Sequence, residues 1–318
     1  MSQIQQQQFA TGPEKEPEYA EFPSAADEAD IIGTLALSSR KRFLRRFKSN
    51  KGAMVAFGFL VFLLIIAVIG PWIAPHDPNA QDLLNSLADP LTPNHVLGTD
   101  ELGRDTFSRL IVATRVAMLA AGQAVIIGMA LGVPPGLVAG YFGGFIDLTI
   151  MRVTDAVQSF PPLILAIAIV GILGPGLRNA MLAVGIIFAP NFLRIVRGAV
   201  LEVREETFIE ASRSIGTPTI RIIRTRILPN VLPPLLVQIS LAAGFALLAE
   251  ASLSFLGLGV QLPQASWGSM LGRGYQFLSR QPWMIVFPGV TIALTVLAFN
   301  IVGDGLRDSI GREVRREK

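Results

Sequence analysis

Long apolar runs alternate with charged segments along most of this chain. Residues 52–75, 116–146, 156–177, 227–249 and 281–303 contain no Asp, Glu, Lys or Arg. A helix needs about 20 apolar residues to cross the hydrocarbon of a bilayer, so each run predicts one transmembrane helix. The second run is expected to end early, near Pro134, Pro135 and Gly136. Residues 177–196 predict a sixth span, with Arg178 and Arg194 reaching to opposite interfaces. Residues 251–272 are also uncharged but hold Gly257, Gly259, Pro263, Gly268 and Gly272. Irregular backbone facing lipid leaves amides unsatisfied, so this segment is read as a loop packed on protein. The expected class is an all-α membrane protein with six transmembrane helices.

Charge placement sets the orientation. With six spans and a cytoplasmic N-terminus, 21 of the 27 Lys and Arg fall inside. Only Arg104, Arg109, Arg115, Arg178, Arg273 and Arg280 fall outside. The positive-inside rule favours this arrangement, which also puts the C-terminus in the cytoplasm. Residues 1–39 read as a disordered cytoplasmic tail, by their Gln, Glu, Pro and Ala content. Residues 40–75 hold a basic interfacial segment and the first span. In that segment Phe43, Leu44 and Phe47 share one helical face, suited to the anionic inner leaflet. Residues 76–110 form an outer loop, 111–308 a core with five spans, and 309–318 a basic tail.

Composition supports the membrane reading: 51% of residues are hydrophobic, 16% are charged, and mean hydropathy is +0.51. No cysteine is present, which excludes thiolate chemistry. His76 and His95 are the only histidines, too few for a His-built metal site, so no metal is expected. Lysine is absent from 52 to 317, so no Walker A lysine lies there, and no P-loop motif occurs. The chain is expected to be non-catalytic and to bind no cofactor. Nucleic-acid binding is set aside because the basic run abuts a span.

The cytoplasmic loop, about residues 197–230, carries the most local information. Acidic residues open its first helix, where they suit the macrodipole. Gly216 is a natural terminator. Thr217 is expected to cap a second helix with Pro218 at its first position, and Pro229 to close the unit. Arg221, Arg224 and Arg226 are placed near that second helix's end. An amphipathic loop lying on the membrane accounts for the same residues equally well.

Glu210-Ala211-Ser212-Arg213-Ser214-Ile215-Gly216, followed by Ile227-Leu228-Pro229-Asn230, resembles the EAA loop of binding-protein-dependent ABC permeases. Ser212 stands where Ala is usual, and Thr217-Pro218 follows the glycine. The segment from His95 to Asp105, with Gly98, Thr99, Asp100, Gly103, Arg104 and Asp105, is similar to the signature of the dipeptide/oligopeptide/nickel branch, "C"-type subunit. So are Tyr141–Gly144, Glu250–Gly259, Ser266–Gly268, Phe287–Gly289 and Phe299–Asp308. The resemblance implies a type I ABC importer permease in a bacterial inner membrane. It implies a homologous second permease, one or two ATPase subunits holding ATP and Mg, and an extracytoplasmic binding protein. Glu210, Ala211, Ser212, Gly216, Thr217 and Pro218 would be the coupling contact with the ATPase. Peptides are the implied solute, with nickel or another small solute as the alternative. An autonomous secondary transporter is the rival class; neither an internal repeat nor a midplane charge cluster is evident.

Polar residues in or beside the spans are Gln123, Asp155, Gln158, Asn191, Gln238, Glu250 and Asn300. Each fits either a solute pathway or an interhelical hydrogen bond. Glu250, Gln238 and Asn300 are the candidates for a pathway or gate, and Asp155 is expected to pair with Arg152. Gly122, Gly128 and Gly132 suggest close helix packing.

The orientation has a direct test. In this cysteine-free chain, Asn94→Cys and Ser279→Cys should react with a membrane-impermeant maleimide on intact cells. Thr217→Cys should react only once the inner face is opened; labelling from outside would reverse the topology.

Overall fold

The computed structural model describes residues 39–314, with side chains from 43 to 310. The chain divides into two units, Met1–Leu44 and Arg45–Lys318, and the packing below lies within the second. The tail read at 1–39 falls almost wholly outside the described residues. Among the described residues eleven α-helices follow in order: α1 Ser39–Ser49, α2 Lys51–Ile73, α3 Thr106–Phe142, α4 Gly144–Gln158 and α5 Pro162–Leu173, then α6 Leu177–Arg204, α7 Thr207–Ser214, α8 Thr219–Ile222, α9 Leu228–Phe255, α10 Trp267–Gln276 and α11 Trp283–Val314. Among the described residues there is no strand, only two isolated bridges.

Among the described residues five helical stretches are long and apolar enough to span a membrane: Lys51–Ile73, Thr106–Phe142, Leu177–Arg204, Thr219–Phe255 and Trp283–Ile310. The pair α4–α5, bent by 87°, makes six if counted as one span. The third apolar run is therefore not a straight helix. Pro161 and Pro162 break it: neither supplies an N–H, and Pro162 restricts the residue before it. Pro162 instead opens α5, where a missing N–H costs nothing. The 12 residues of α5 reach about 18 Å, short of the hydrocarbon thickness.

Elsewhere proline stops less than expected. α3 runs straight through Pro134 and Pro135 to Phe142, because the neighbouring helix holds the backbone on both sides of the gap. It also begins at Thr106, ten residues before the apolar run, so Arg109 and Arg115 lie on it. The 251–272 segment is not a span: α9 takes its first residues, and α10 is a short helix. α11 extends to Val314, through part of the segment read as a basic tail.

α3 and α6 form the most extensively packed pair. Gly128, Gly132, Gly136 and Gly140 recur every fourth residue along the α3 face that meets α6. A Cβ at Gly136 would sit 2.7 Å from the Leu193 carbonyl oxygen, and one at Gly140 would sit 2.7 Å from Val200 Cβ. At Gly132 it would run into the Ala189 carbonyl. From α6, Gly185 returns the contact against Ile127, 2.6 Å from its would-be Cβ. Gly122 was read with this set but faces open space, since it lies off the four-residue row. The row from 132 to 140 straddles the proline pair, which hid its period in the sequence.

α2 and α11 are the peripheral spans, each 28% buried against 50% for α6. α2 exposes Val55, Val68 and Trp72, as a lipid-facing helix must. α1 is helical as expected, and Phe47 packs partly on protein. Its ring meets Phe57 edge-on at 6.2 Å and packs on a cluster of Ala56, Leu60, Ala298 and Val302.

Gly132→Val should destabilise the protein by about 1–3 kcal/mol or more, as overpacking does. Gly122→Ala should leave thermal unfolding in detergent unchanged. Equal melting of both variants would refute the ridge.

Candidate functional site

Two clusters of sequence-marked residues lie at the two ends of α3. Its 37 residues span about 55 Å, so the clusters are far apart and share one rigid element.

At the N-terminal end, residues 76–105 fold into an irregular loop around the His95–Asp105 motif. Gly98 and Gly103 both have φ of +72°, and a Cβ at either would strike the backbone of Ala88 or Asp82. Thr99 donates its hydroxyl to the Asn85 carbonyl and accepts from the Ala88 N–H at 2.9 Å. Asp100 Oδ1 accepts the N–H groups of Leu102 and Arg104, each at 3.0 Å. Its Oδ2 takes Arg104 Nε at 2.7 Å and lies 3.5 Å from Arg109 Nε. Arg104 continues to Glu101 Oε1 at 3.1 Å, which Arg273 of α10 also reaches at 2.7 Å. Asp105 caps α3: its Oδ2 accepts the Ser108 N–H at 2.8 Å and the Ser108 hydroxyl at 2.7 Å. Burial pushes the Asp105 carboxyl up, but these bonds and the one with His95 outweigh it and hold the pKa below the usual carboxylate value.

The segment between α9 and α11 closes over this loop. Gln281 donates to the Leu87 and Ala88 carbonyls, and the Trp267 indole N–H to the Leu110 carbonyl at 3.1 Å. Glu250, near the end of α9, is 2% exposed and accepts the Ser254 hydroxyl at 2.7 Å. Ser254 in turn accepts the Val260 N–H at 3.1 Å. Gly268 brings α10 so near Ala251 that a Cβ would lie 2.6 Å from its carbonyl oxygen.

At the C-terminal end of α3 lies the 205–218 loop. α7 closes in a Schellman motif: Thr217 N–H bonds the Ser212 carbonyl at 3.0 Å and Gly216 N–H the Arg213 carbonyl at 2.9 Å. Gly216 has φ of +73° with open space around its would-be Cβ, so strain and not collision limits this position. Three details of the expected helix-turn-helix differ. Thr217 does not cap α8; Pro218 stands at the N-cap without a side-chain bond. Pro229 does not close the unit: the helix continues through it to Phe255, directly after a π-helical turn of the kind that accommodates a missing N–H. α8 instead runs through π-helical residues Ile223–Ile227 into α9, and Leu228 N–H bonds the Ile223 carbonyl. Arg221, Arg224 and Arg226 therefore sit near the start of a 37-residue helical stretch, not at a helix end.

The loop is anchored from below and bare above. Ile209, Ile222 and Ile227 are fully buried. The Arg213 guanidinium lies 5.1 Å from the Tyr141 ring centroid, a cation–π contact, and Arg204 donates to the Gly140 and Tyr141 carbonyls at 3.3 Å. Ser212 is buried, with its hydroxyl on the Phe208 carbonyl at 2.7 Å. Glu210, Ala211, Gly216 and Pro218 are exposed and Thr217 is half-buried. Ile215 and Ile220 are 82% and 67% exposed.

The remaining polar residues mostly bond between helices. Gln123 donates to the Arg178 carbonyl at 2.9 Å and Gln158 to Asn191 Oδ1 at 3.1 Å. Asp155 pairs with Arg194 of α6 at 2.6 Å, not with Arg152 as spacing suggests, because α4 packs on α6 along the part that also bonds Gln158 to Asn191. Gln238 lines an open cleft of about 280 Å³ with Asn191, Arg194 and Phe245. Asn300 faces Gly244 on α9. Glu250 is not among the residues lining that cleft.

Removing one member of a buried ion pair costs about 3–5 kcal/mol, so Asp100→Ala should lower the melting temperature sharply. Glu205→Ala, whose partner contact is at an exposed side chain, should change it little. Similar melting of the two variants would remove the outer network from the fold's supports.

Residues 132–316 match the family described as the binding-protein-dependent transport system inner membrane component. Residues 38–90 match the N-terminal transmembrane domain of oligopeptide transport permease C. The chain is 41% identical to the dipeptide transport system permease protein DppC of Alkalihalophilus pseudofirmus, covering 88% of this chain and 92% of that one. It is 40% identical to the DppC protein of Bacillus subtilis (91% and 90%). It is 41% identical to the glutathione transport system permease protein GsiD of Shigella sonnei (86% and 90%). Among solved structures, an inward-facing MetNI methionine ABC transporter chain aligns with TM-score 0.52 and 24% identity, over 63% of this chain and 96% of that one. That likeness concerns the fold, an ABC importer permease. The chain belongs to the family of binding-protein-dependent transport system inner membrane components, and is a multi-pass membrane permease.

Proposed function

We propose that this permease forms half of the translocation pathway of an ATP-binding-cassette importer for di- and oligopeptides. The observation that carries the reading is the 205–218 loop. It is a rigid turn, held from below by buried isoleucines and Arg213, with Glu210, Ile215 and Ile220 bare above. Large exposed apolar side chains beside a carboxylate suit docking to another protein. An anchored lever passes motion to the spans, because α8 is continuous with α9 through the π-helical turn.

The partners follow from this reading. Separate ATPase subunits, one or two gene products, hold ATP and Mg and receive the loop on the cytoplasmic side. A homologous second permease completes the pathway. An extracytoplasmic binding protein delivers solute to the surface formed by residues 76–105 and 257–282. Peptides lead as solute because two of the relatives named above are dipeptide permeases. Glutathione is the second reading, favoured by the GsiD relative.

Reconstituted complexes test both parts. Gly216→Val and Glu210→Lys should insert normally but lose solute-stimulated ATP hydrolysis, with transport falling roughly tenfold or more, within the range of site-to-site coupling. Gly216→Asn, which tolerates positive φ, and Thr219→Ser should remain active. Full transport by Gly216→Val would end the coupling role. Normal peptide uptake in a deletion strain that loses glutathione uptake would replace the solute.

A further inference from the structure

Both histidines of the chain converge on one carboxylate. They lie 19 positions apart in sequence, yet their rings are 5.1 Å apart between centroids. His95 Nδ1 is 2.9 Å from Asp105 Oδ1, and His76 Nδ1 is 3.7 Å from Asp105 Oδ2. One donor atom from each of the three residues lies within 4.8 Å of the others.

The cluster is built rather than incidental. Asp105 is 2% exposed at its side chain and locked by two bonds from Ser108. The His76 backbone N–H donates to the same Ser108 hydroxyl oxygen at 3.0 Å, which sets the residue over the cap. His95 is 13% exposed and holds a backbone bond to Thr92 at 2.9 Å. His76 Nδ1 is closed to solvent and has no hydrogen-bond partner. Buried imidazole nitrogens are ordinarily satisfied, so this atom points to something that takes its lone pair.

We propose that His76, His95 and Asp105 bind a divalent transition-metal ion of the zinc class. Two imidazoles and a carboxylate are a standard set for such ions with water in the fourth position. Tetrahedral bonds of about 2.0–2.1 Å place donors roughly 3.3 Å apart. The distances of His95 Nδ1 to Asp105 Oδ1 and His76 Nδ1 to Asp105 Oδ2, 2.9 and 3.7 Å, lie on either side of that value, and the imidazole donors lie within 4.8 Å of each other, so side-chain rotations that draw the rings together complete the site. His76 is 39% exposed at its side chain, which leaves a path for the ion and room for a water. Hard cations such as Mg²⁺ and Ca²⁺ prefer all-oxygen sites and are excluded by the nitrogens. The bound ion would clamp the chain leaving α2 and the 92–95 turn to the cap of α3. This site does not depend on the transport reading.

The test uses the full chain in detergent, purified on a histidine-free tag. Zn²⁺ is titrated against a chromophoric chelator, and Co²⁺ is followed by visible absorption. One equivalent of Zn²⁺ should bind, unaffected by excess Mg²⁺, and Co²⁺ should give a ligand-field band. With no cysteine and no other histidine, no other nitrogen or sulfur side-chain set of this kind exists to produce it. His76→Gln and His95→Gln should each raise Kd by about tenfold or more, at least the loss seen when supporting contacts of a metal site are removed. His76→Gln deletes no side-chain hydrogen bond, so it should fold; Asn79→Ala on the same segment should bind as wild type. Absence of stoichiometric Zn²⁺ binding, or affinity unchanged in both histidine variants, would overturn the site and leave a plain His–Asp cap.

Discussion

Backbone-to-backbone contact between α3 and α6 requires glycine at every fourth position of α3 from 128 to 140. In hydrocarbon no solvent drives helices together, so close approach and the dispersion contacts it permits supply the association. The same contact makes proline tolerable in mid-helix. Pro134 and Pro135 leave carbonyls of the preceding turn without N–H partners, yet α3 stays helical because α6 holds it on both sides. Everything attached to α3 inherits this rigidity. Asp105 caps one end and gathers the outer loop; Gly140 and Tyr141 at the other accept Arg204, and Arg213 lies on the Tyr141 ring.

Five of the six expected spans and the loop at 205–218 are legible because each has a strong local cause; the third apolar run gives a bent helix pair instead. Uncharged length identifies a span, and a glycine after an amphipathic turn identifies a Schellman stop. Gly216 shows the second case, with the φ its position required. Helix ends are less legible, because proline at 134 and 229 suggests a stop that the fold does not make. Whether proline breaks a helix depends on what lies beside it, and that is tertiary information. At 161–162 both flanking helices pack on α6, but no glycine row brings them to backbone contact, and the chain bends by 87°. Gly122, Gly128 and Gly132 were grouped by proximity; the true row is a four-residue ridge that only the facing helix defines.

The outer motif was recognisable as a pattern, but its purpose was not. Gly98 and Gly103 permit turns that pass against backbone, and Thr99, Asp100, Arg104 and Asp105 each satisfy specific backbone or ionic groups. These residues build a scaffold rather than a reactive centre. Two histidines were too few to suggest a metal site by count, because carboxylate ligands carry no spacing signal when the loop is irregular. Only the fold places His76, three residues past α2, beside the cap of α3.

Polar groups on the remaining faces bear on how much of a transporter one chain can be. Asp155 and Arg194 pair at 2.6 Å yet stay 52% and 46% exposed at their side chains. Gln158, Asn191 and Gln238 lie near them, the last two on the open cleft between α6 and α9. Acyl chains satisfy neither charge nor amide, so such a face must meet water or protein. The exposed surfaces of α2 and α11 are apolar and suit lipid. Part of the bundle surface is thus finished for the membrane while another part is left polar and concave. That asymmetry fits a half-pathway and argues against a self-contained transporter, which would enclose its polar groups within its own helices.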